Sequence, residues 1–528
     1  MNLKRISVMD WLAILVILAA GLKFVWGMEA DLDIGLYDES VYLYTGVKLP
    51  TLGLPPAQAA PLYAVWYFIL SWFVADRVHL YYVNHQLMII LPAMLVYALL
   101  RRNRVSIPIS LAVAWLFLVS RGNPYTWPKV SHFGLIVALV TFLAISYKQT
   151  ALLNSAIASV GALFVSYVRP EYFVVYLLLV CVFLGLLIYQ WRATKQIPLV
   201  PLVLYGLVSI VVIPALGIPV QGTRSMIAFG QHFALNWVAW TGSDLNPWTN
   251  WKEIVSQHFG AVASVGEAAW NNPGMFLQHV AYNLRKTLNV VLTAVLPVFF
   301  PTDLFSKSLV MVFFVGLFAF SFEKVRENFR VYRAVLFLLW LFPLPGVIST
   351  ILIYPREHYL LMVYSLLAVS FTVLVGANAA SQTDTMVQKR AGGLYQQLVL
   401  VGLLIVALTP YFRVNRGQPN LQTIRFIQAL NIQRQVNLLE ADGGYAIYLG
   451  DHFQRVPEYE KNVSFFQYLQ KKEVGMIVLS NLLSNDARFD KDEEWHQFLS
   501  DSSRYGFVRF DIPNTKRAVF VRADILEK

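Results

Sequence analysis

Asp38 and Glu39 lie in the stretch Glu29 to Gly46, EADLDIGLYDESVYLYTG, and are the side chains best placed to do chemistry. Five carboxylates (Glu29, Asp31, Asp33, Asp38 and Glu39) follow directly on a long apolar segment, in a chain with few acids and a surplus of base. A carboxylate at a membrane edge is costly without a partner or a task. One that faces an attacking hydroxyl can take its proton as a general base. Val41, Leu43 and Val47 interleave with Tyr42 and Tyr44, which predicts a short interfacial helix after the acid pair. The plainer reading is a solvated acidic loop in which Asp38 is the N-cap of that helix.

Three basic groups could complement these acids. Arg169 stands in FVSYVRPEYFVVYLLL, where it and Glu171 flank a proline between two apolar runs. Arg356 occupies a similar place in YPREHY, Tyr354 to Tyr359, and Lys129 lies in NPYTWPKVSHFG at the start of another run. A guanidinium stays charged and gives paired hydrogen bonds to phosphate, so two such arginines on one face suit an anionic lipid headgroup. Each also has a bland reading: snorkelling, an Arg169–Glu171 ion pair at a helix end, or an interfacial anchor at Lys129. Tyr42, Glu171, His358 and Tyr359 flank the charged groups and are assigned to positioning whatever binds among them, donor or acceptor if a group is transferred there.

Other chemistries find little support. His85, His232, His258 and His279 are scattered without metal-ligand spacing, so no histidine metal site is expected, although Asp38 and a neighbouring acid could hold Mg²⁺ or Mn²⁺ through oxygen ligands. No glycine-rich nucleotide loop, catalytic serine motif or Walker sequence is present. The net charge of +11 is gathered in short clusters beside apolar segments (Lys4-Arg5, Arg101-Arg102-Arg104, Arg192-Lys195, Lys324 to Arg333, Lys389-Arg390). That is the pattern of topology determinants and lipid-headgroup contacts, not of a nucleic-acid surface. The single cysteine, Cys181, falls within an apolar run and reads as packing.

The elements that must position these residues are mostly membrane spans. The chain has 528 residues, 57% hydrophobic and 14% charged, well below the quarter or so usual for soluble domains. Thirteen apolar blocks can be read: 8–28, 61–77, 81–100, 105–120, 130–147, 151–168, 172–190, 198–218, 287–303, 308–322, 334–354, 357–376 and 395–411. The first has no small-residue cleavage site and reads as a retained span. Strict alternation would put Arg101-Arg102 and Arg192-Lys195 outside. If 61–100 and 287–322 each make one net crossing, every cluster falls inside. The expectation is eleven to thirteen spans, an odd number, with the N-terminus cytoplasmic and the C-terminus extracytoplasmic. On this reading 29–60 and 219–286 are outer loops of a transmembrane unit, 1–411. Phe276, His279, Val280, Asn283 and Leu284 recur at helical spacing in the second loop, as in an amphipathic helix lying along the interface. Residues 412–528 form a small α/β extracytoplasmic domain, with strand-like runs at 436–440, 445–449, 476–480, 507–511 and 518–522 and helices at 464–471 and 491–501.

With these residues laid out, the chain resembles the GT-C membrane glycosyltransferases, within them the branch of protein O-mannosyltransferases and lipid A aminoarabinose transferases. YDESVY matches that branch's D-E-x-x-Y in the first outer loop. PPAQAAPLYAVWYF, Arg169-Pro170 and YPREHYLL correspond to its proline-bearing second span, its charged residue before proline and its Arg-x-Tyr-Leu. The branch's further acidic residue near Pro128–Ser131 has no counterpart, since no Asp or Glu occurs between Asp76 and Glu171. The resemblance implies a polytopic α-helical, GT-C-like fold in a bacterial inner or plasma membrane. It also implies an inverting transfer of sugar from a polyprenyl-phosphate donor to a hydroxyl of a glycan, lipid or protein acceptor. Asp38 is then the base, with Glu39 behind it, and Arg169, Arg356 and Lys129 bind the donor phosphate. Two other classes remain open: a multi-span transporter or flippase with a charged pathway, and a polysaccharide polymerase or ligase relying on His232 and Arg224.

Overall fold

The computed structural model describes residues 7–526 apart from 147–149, 197, 222, 378–390, 415–416, 457–462, 487–488 and 490. The Lys4-Arg5 and Lys389-Arg390 clusters lie outside the described residues. Among the described residues, five helical stretches are long and apolar enough to cross a membrane: Val8–Asp31, Arg77–Arg102, Pro170–Thr194, Leu199–Leu216 and Phe322–Leu352. Shorter apolar helices accompany them at Pro61–Ser71, Ile107–Leu118, Val130–Ile145, Ala151–Ser166, Leu304–Phe320, Leu361–Gly376 and Tyr395–Leu408. Leu199, Val203, Leu207 and Ile210 stand exposed along one of the long helices, an apolar surface that lipid can cover and water would not tolerate.

Capping and proline set where helices begin and break. Asp76 accepts from the His79 amide to start Arg77–Arg102, and Thr150 does the same for Leu153 ahead of Ala151–Ser166. Block 61–77 shortens to the eleven-residue helix Pro61–Ser71, which at about 1.5 Å per residue covers roughly half the hydrocarbon core. Block 287–303 is not a separate helix: it is the end of Pro273–Ala294 and a turn whose Pro297 bridges to Ser120. Block 334–354 divides between Phe322–Leu341 and Leu344–Leu352, with Pro343 and Pro345 at the join.

Polar contacts show which helix ends lie together. Arg101 near the end of its helix donates to Asp10 at the start of the first (2.6 Å), and Tyr97 donates to the same oxygen at 2.9 Å. At this same end Val105 bridges Ala377, and Asn328 donates to the carbonyls of Leu374 and Ala377. At the opposite end Phe412 donates its amide to Phe24, and Tyr82 donates to Leu32. The acidic loop, the Arg169 turn and the YPREHY turn all lie at this second end.

The helix Pro273–Ala294 turns most of the expected stripe inward, with Phe276 and Val280 half-buried and only Leu284 of the five exposed. His279 and Asn283 are buried, whereas Leu277, Leu284 and Leu288 are exposed. The buried amides and imidazole find backbone partners: Asn283 donates to the carbonyls of Ile351 and Ile353, and His279 Nε2 lies 3.2 Å from that of Leu352. Asn236 donates to Asn283 Oδ1 at 2.9 Å. Carbonyls left without helical partners where Leu344–Leu352 ends are thereby satisfied, and this fixes the start of the YPREHY turn.

The C-terminal domain is a five-stranded sheet in the order β2-β1-β3-β5-β4. Its strands are β1 (Val436–Leu439), β2 (Phe453–Arg455), β3 (Val474–Leu479), β4 (Phe507–Asp511) and β5 (Ala518–Arg522). The first three are parallel, and β5 pairs antiparallel with both β3 and β4. Helices Phe465–Lys471 and Glu493–Ser500 cover one face, with Phe465, Trp495 and Phe498 clustered over Phe520 of β5. The strand expected at 445–449 is instead a helix, Tyr445–Leu449. The buried Glu440 carboxylate accepts from the amides of Gly444, Tyr445 and Ala446, and so captures the start of a helical turn. A strand that the alternation did not signal, β2, follows it.

This domain is docked on the acidic loop. Asp33 accepts from the amides of Asn420 (3.2 Å) and Leu421 (2.9 Å), at the start of the helix Pro419–Ala429. Arg425 reaches Glu29 at 2.6 Å, Arg413 reaches Asp31 at 3.5 Å, and Asp451 holds both Lys48 and Arg77 at 2.5 Å. Three of the five acids are therefore spent on holding the domain.

Candidate functional site

Asp38 and Glu39 open the helix Asp38–Val47, as the interleaved apolar residues predict. Asp38 is not the N-cap. Tyr37 takes that place, and Asp38 is the first helical residue, exposed. Glu39 points the other way and is 3% exposed. Tyr63 donates to its Oε1 at 2.8 Å, and Tyr67 donates to the same oxygen in a short contact. The amide of Asn84 bridges the two tyrosine hydroxyls at 2.8 Å each. Burial pushes the Glu39 carboxyl up to about 7, although the tyrosine hydroxyls and the Lys129 charge favour its ionised form. The two helices carrying these residues approach closely at Gly46, where a β-carbon would stand 2.7 Å from the Ala64 carbonyl oxygen.

Basic residues from four separate segments face the acids. Lys129 precedes the helix Val130–Ile145, with its ammonium 4.0 Å from the centre of the Trp127 ring. Burial and then the Arg356 charge bring it down to about 8, against the pull of Glu39 and Asp38. Arg169 donates to Glu171 through Nε (2.8 Å) and through Nη2, to Ser131 at 3.2 Å, and lies 4.5 Å over the Tyr359 ring. The ion pair of the bland reading is thus present, and the guanidinium still faces Tyr359. Arg356 stacks 5.7 Å over Trp248. His358, beside Tyr359 at 4.4 Å between ring centres, feels the charges of Lys129, Arg169 and Arg356. Burial first, and those charges second, hold it neutral, well below the usual histidine range.

Sequence reasoning named Arg224 only for a polymerase or ligase. In the fold it donates to Tyr42 at 3.1 Å and to the Gln58 carbonyl, within electrostatic reach of Asp38 and Arg169. Tyr42 is buried and links this fourth cation to the acid helix. All nine predicted site residues therefore share one neighbourhood, to which Arg224 is added. No family model matches the chain, and no curated protein is significantly similar to it.

His232 plays a supporting part, its ring 5.1 Å from that of Tyr354 and 5.8 Å from that of Trp248, so it buttresses the turn bearing Arg356. No local pattern around QGTRS marks Arg224; only the folded long loop brings it back to Tyr42. Among the described residues no three His, Cys, Asp or Glu side chains converge. Glu39 Oε1 already accepts two tyrosine hydroxyls, and Lys129 and Arg224 lie within electrostatic reach of Asp38.

An apolar cavity of about 420 Å³ lies between the helices Ile107–Leu118, Leu304–Phe320 and Leu361–Gly376. Val113, Leu116, Phe313, Phe314 and Phe371 line it, and Ser120 and Tyr364 supply polar atoms. Leu116 and Phe313 are also exposed on the outer surface of the bundle. Ser120 begins the segment that ends at Lys129, and Tyr364 lies on the helix that follows Tyr359, so the cavity and the basic cluster are built on the same two stretches of chain.

Proposed function

We propose that the protein is an inverting glycosyltransferase of GT-C-like build, moving a sugar from a polyprenyl-phosphate donor to an acceptor hydroxyl at the outer face of a bacterial inner or plasma membrane. The observation that carries this reading is the exposed Asp38 carboxylate set opposite Lys129, Arg169, Arg224 and Arg356 at one end of an apolar helix bundle. Asp38 accepts the proton of the acceptor hydroxyl as its oxygen attacks the anomeric carbon. The bond from that carbon to the phosphate oxygen breaks, and the lipid phosphate leaves with the electron pair. The larger electrostatic demand is the negative charge gathering on that phosphate, and preorganised cations lower it most effectively where water is scarce. Glu39, engaged by two tyrosines, fixes the helix and does not share the base role. The apolar cavity supports a hydrocarbon chain entering laterally from the bilayer with its phosphate among the cations.

The helix order supports eleven crossings in this reading. Pro61–Ser71 is too short to add one, and Leu304–Phe320 makes the single net crossing expected of 287–322. The chain then starts in the cytoplasm, and its C-terminal domain lies outside with the acid pair. Transfer from a polyprenyl-phosphate sugar in membranes carrying Asp38→Asn tests the assignment. The rate should fall by ~10²–10⁴-fold with donor KM little changed; full activity would overturn it.

A further inference from the structure

We infer that the C-terminal domain is a working part of the site, because its Gly443-Gly444 turn positions Asp38 by holding Tyr37 in a backbone conformation the loop does not keep alone. This rests on Asp38 being the base. Tyr37, immediately before it, has φ 64° and ψ −127°. Glycine enters that region readily and a residue with a β-carbon does not, so the surroundings must impose it.

The imposing contacts come mainly from the C-terminal domain. The Tyr37 amide donates to the Gly443 carbonyl at 3.0 Å. Ser40 donates to the Tyr37 carbonyl at 2.7 Å and reaches that of Gly443 at 3.4 Å. Tyr448 donates to the Gly35 carbonyl at 2.6 Å, two residues upstream of Tyr37. Gly444 packs so closely that a β-carbon would stand 3.0 Å from Leu36 Cδ2 and from Ser40 Oγ. The turn itself is rigid, with Gly443 at φ 69° and the buried Glu440 carboxylate gathering the three amides that follow it.

Tyr37 sets the direction in which the first helical turn begins. With the clamp closed, Asp38 faces outward and Glu39 reaches Tyr63 and Tyr67. Without it, the loop relaxes toward an ordinary φ, and the helix start rotates so that neither acid keeps its place. Gly443 and Gly444 are therefore positioning residues, acting through Tyr37.

The test is transfer by the full chain in membranes. In Gly444→Ala, kcat should drop on the order of 100-fold, the cost of misplacing a reacting group by about an ångström, with donor KM within about twofold of wild type. Adding Tyr37→Gly should recover at least about tenfold, because glycine takes the conformation unaided. Wild-type kcat in Gly444→Ala, or a double variant no better than the single, overturns the inference. Ser40→Ala removes the hydroxyl without adding bulk and carries the test if Gly444→Ala does not accumulate: kcat should fall roughly tenfold, and an unchanged value overturns. Hydrogen exchange over Gly35–Val47 reads the clamp without any reaction. Faster exchange in either variant supports it, and unchanged exchange overturns it. If the wild-type chain transfers nothing while exchange responds as expected, the proposed reaction fails and the clamp stands.

Discussion

Adjacent residues on a helix point about 100° apart, and this geometry separates the two acids of YDESVY. Asp38 meets solvent; Glu39 meets two tyrosines and an asparagine. Sequence marks the pair but not which member is buried, because Tyr63, Tyr67 and Asn84 lie far along the chain. The burial has a sign that can be measured. Raising the Glu39 carboxyl to about 7 favours its protonated form in the fold. Stability from this residue is therefore complete below the ordinary carboxyl value near 4.5 and is lost as pH rises through about 7. Glu39→Gln should melt like the wild type at pH 4.5 and higher than it at pH 8, by up to roughly 3 kcal/mol. An equal midpoint at pH 8 would show the carboxylate is not buried as described. Lys129 has the opposite sign: with its ammonium brought down to about 8, the charged form that the proposed phosphate site requires is lost above that pH. Transfer should decline on the alkaline side with an apparent value near 8, and Lys129→Arg should move that limb upward, because guanidinium does not titrate there. A limb left in place would remove Lys129 from the phosphate site.

Between elements, closeness of backbone decides what side chains can reach. The helices Asp38–Val47 and Pro61–Ser71 meet at Gly46, which lets Tyr63 and Tyr67 extend to Glu39. In Gly46→Ala the new methyl collides with the Ala64 carbonyl and the Tyr67 side chain. Overpacking of this kind costs about 1–3 kcal/mol, so the thermal midpoint should drop, and the Glu39→Gln gain at pH 8 should shrink as the tyrosines are pushed away. An unchanged midpoint would mean the two helices are not in contact. The acid helix was legible from its alternating residues, and the cationic turns from charge next to proline between apolar runs. The helix at Tyr445–Leu449 was not, since five residues carry too little periodicity and the amides that begin it are gathered by Glu440. In the long loop the spacing marked the inward face of Pro273–Ala294 but not its partner: His279 and Asn283 are buried because the end of Leu344–Leu352 offers them bare carbonyls.

At the scale of the molecule, hydropathy reveals that the chain is rich in apolar helices, but its apolar blocks do not each form one long helix. A block of apolar residues is the same in composition whether it crosses, turns back or continues a neighbouring helix. What distinguishes them is length and the partners at each end, which only the fold supplies. Arg101 with Asp10 marks one end of the bundle, and the docked sheet domain marks the other. The odd number of crossings proposed above puts Arg104 and the sheet domain on opposite sides of the membrane. Because Cys181 is the single cysteine, a Cys181→Ser background carrying Ser503→Cys or Arg104→Cys, both exposed positions, can be probed with a membrane-impermeant maleimide. Ser503→Cys should label in intact spheroplasts, and Arg104→Cys only once the membrane is opened. Labelling of both in intact spheroplasts would mean an even count, and labelling of both only after opening would also place the acid pair and the sheet domain away from any donor presented at the outer face.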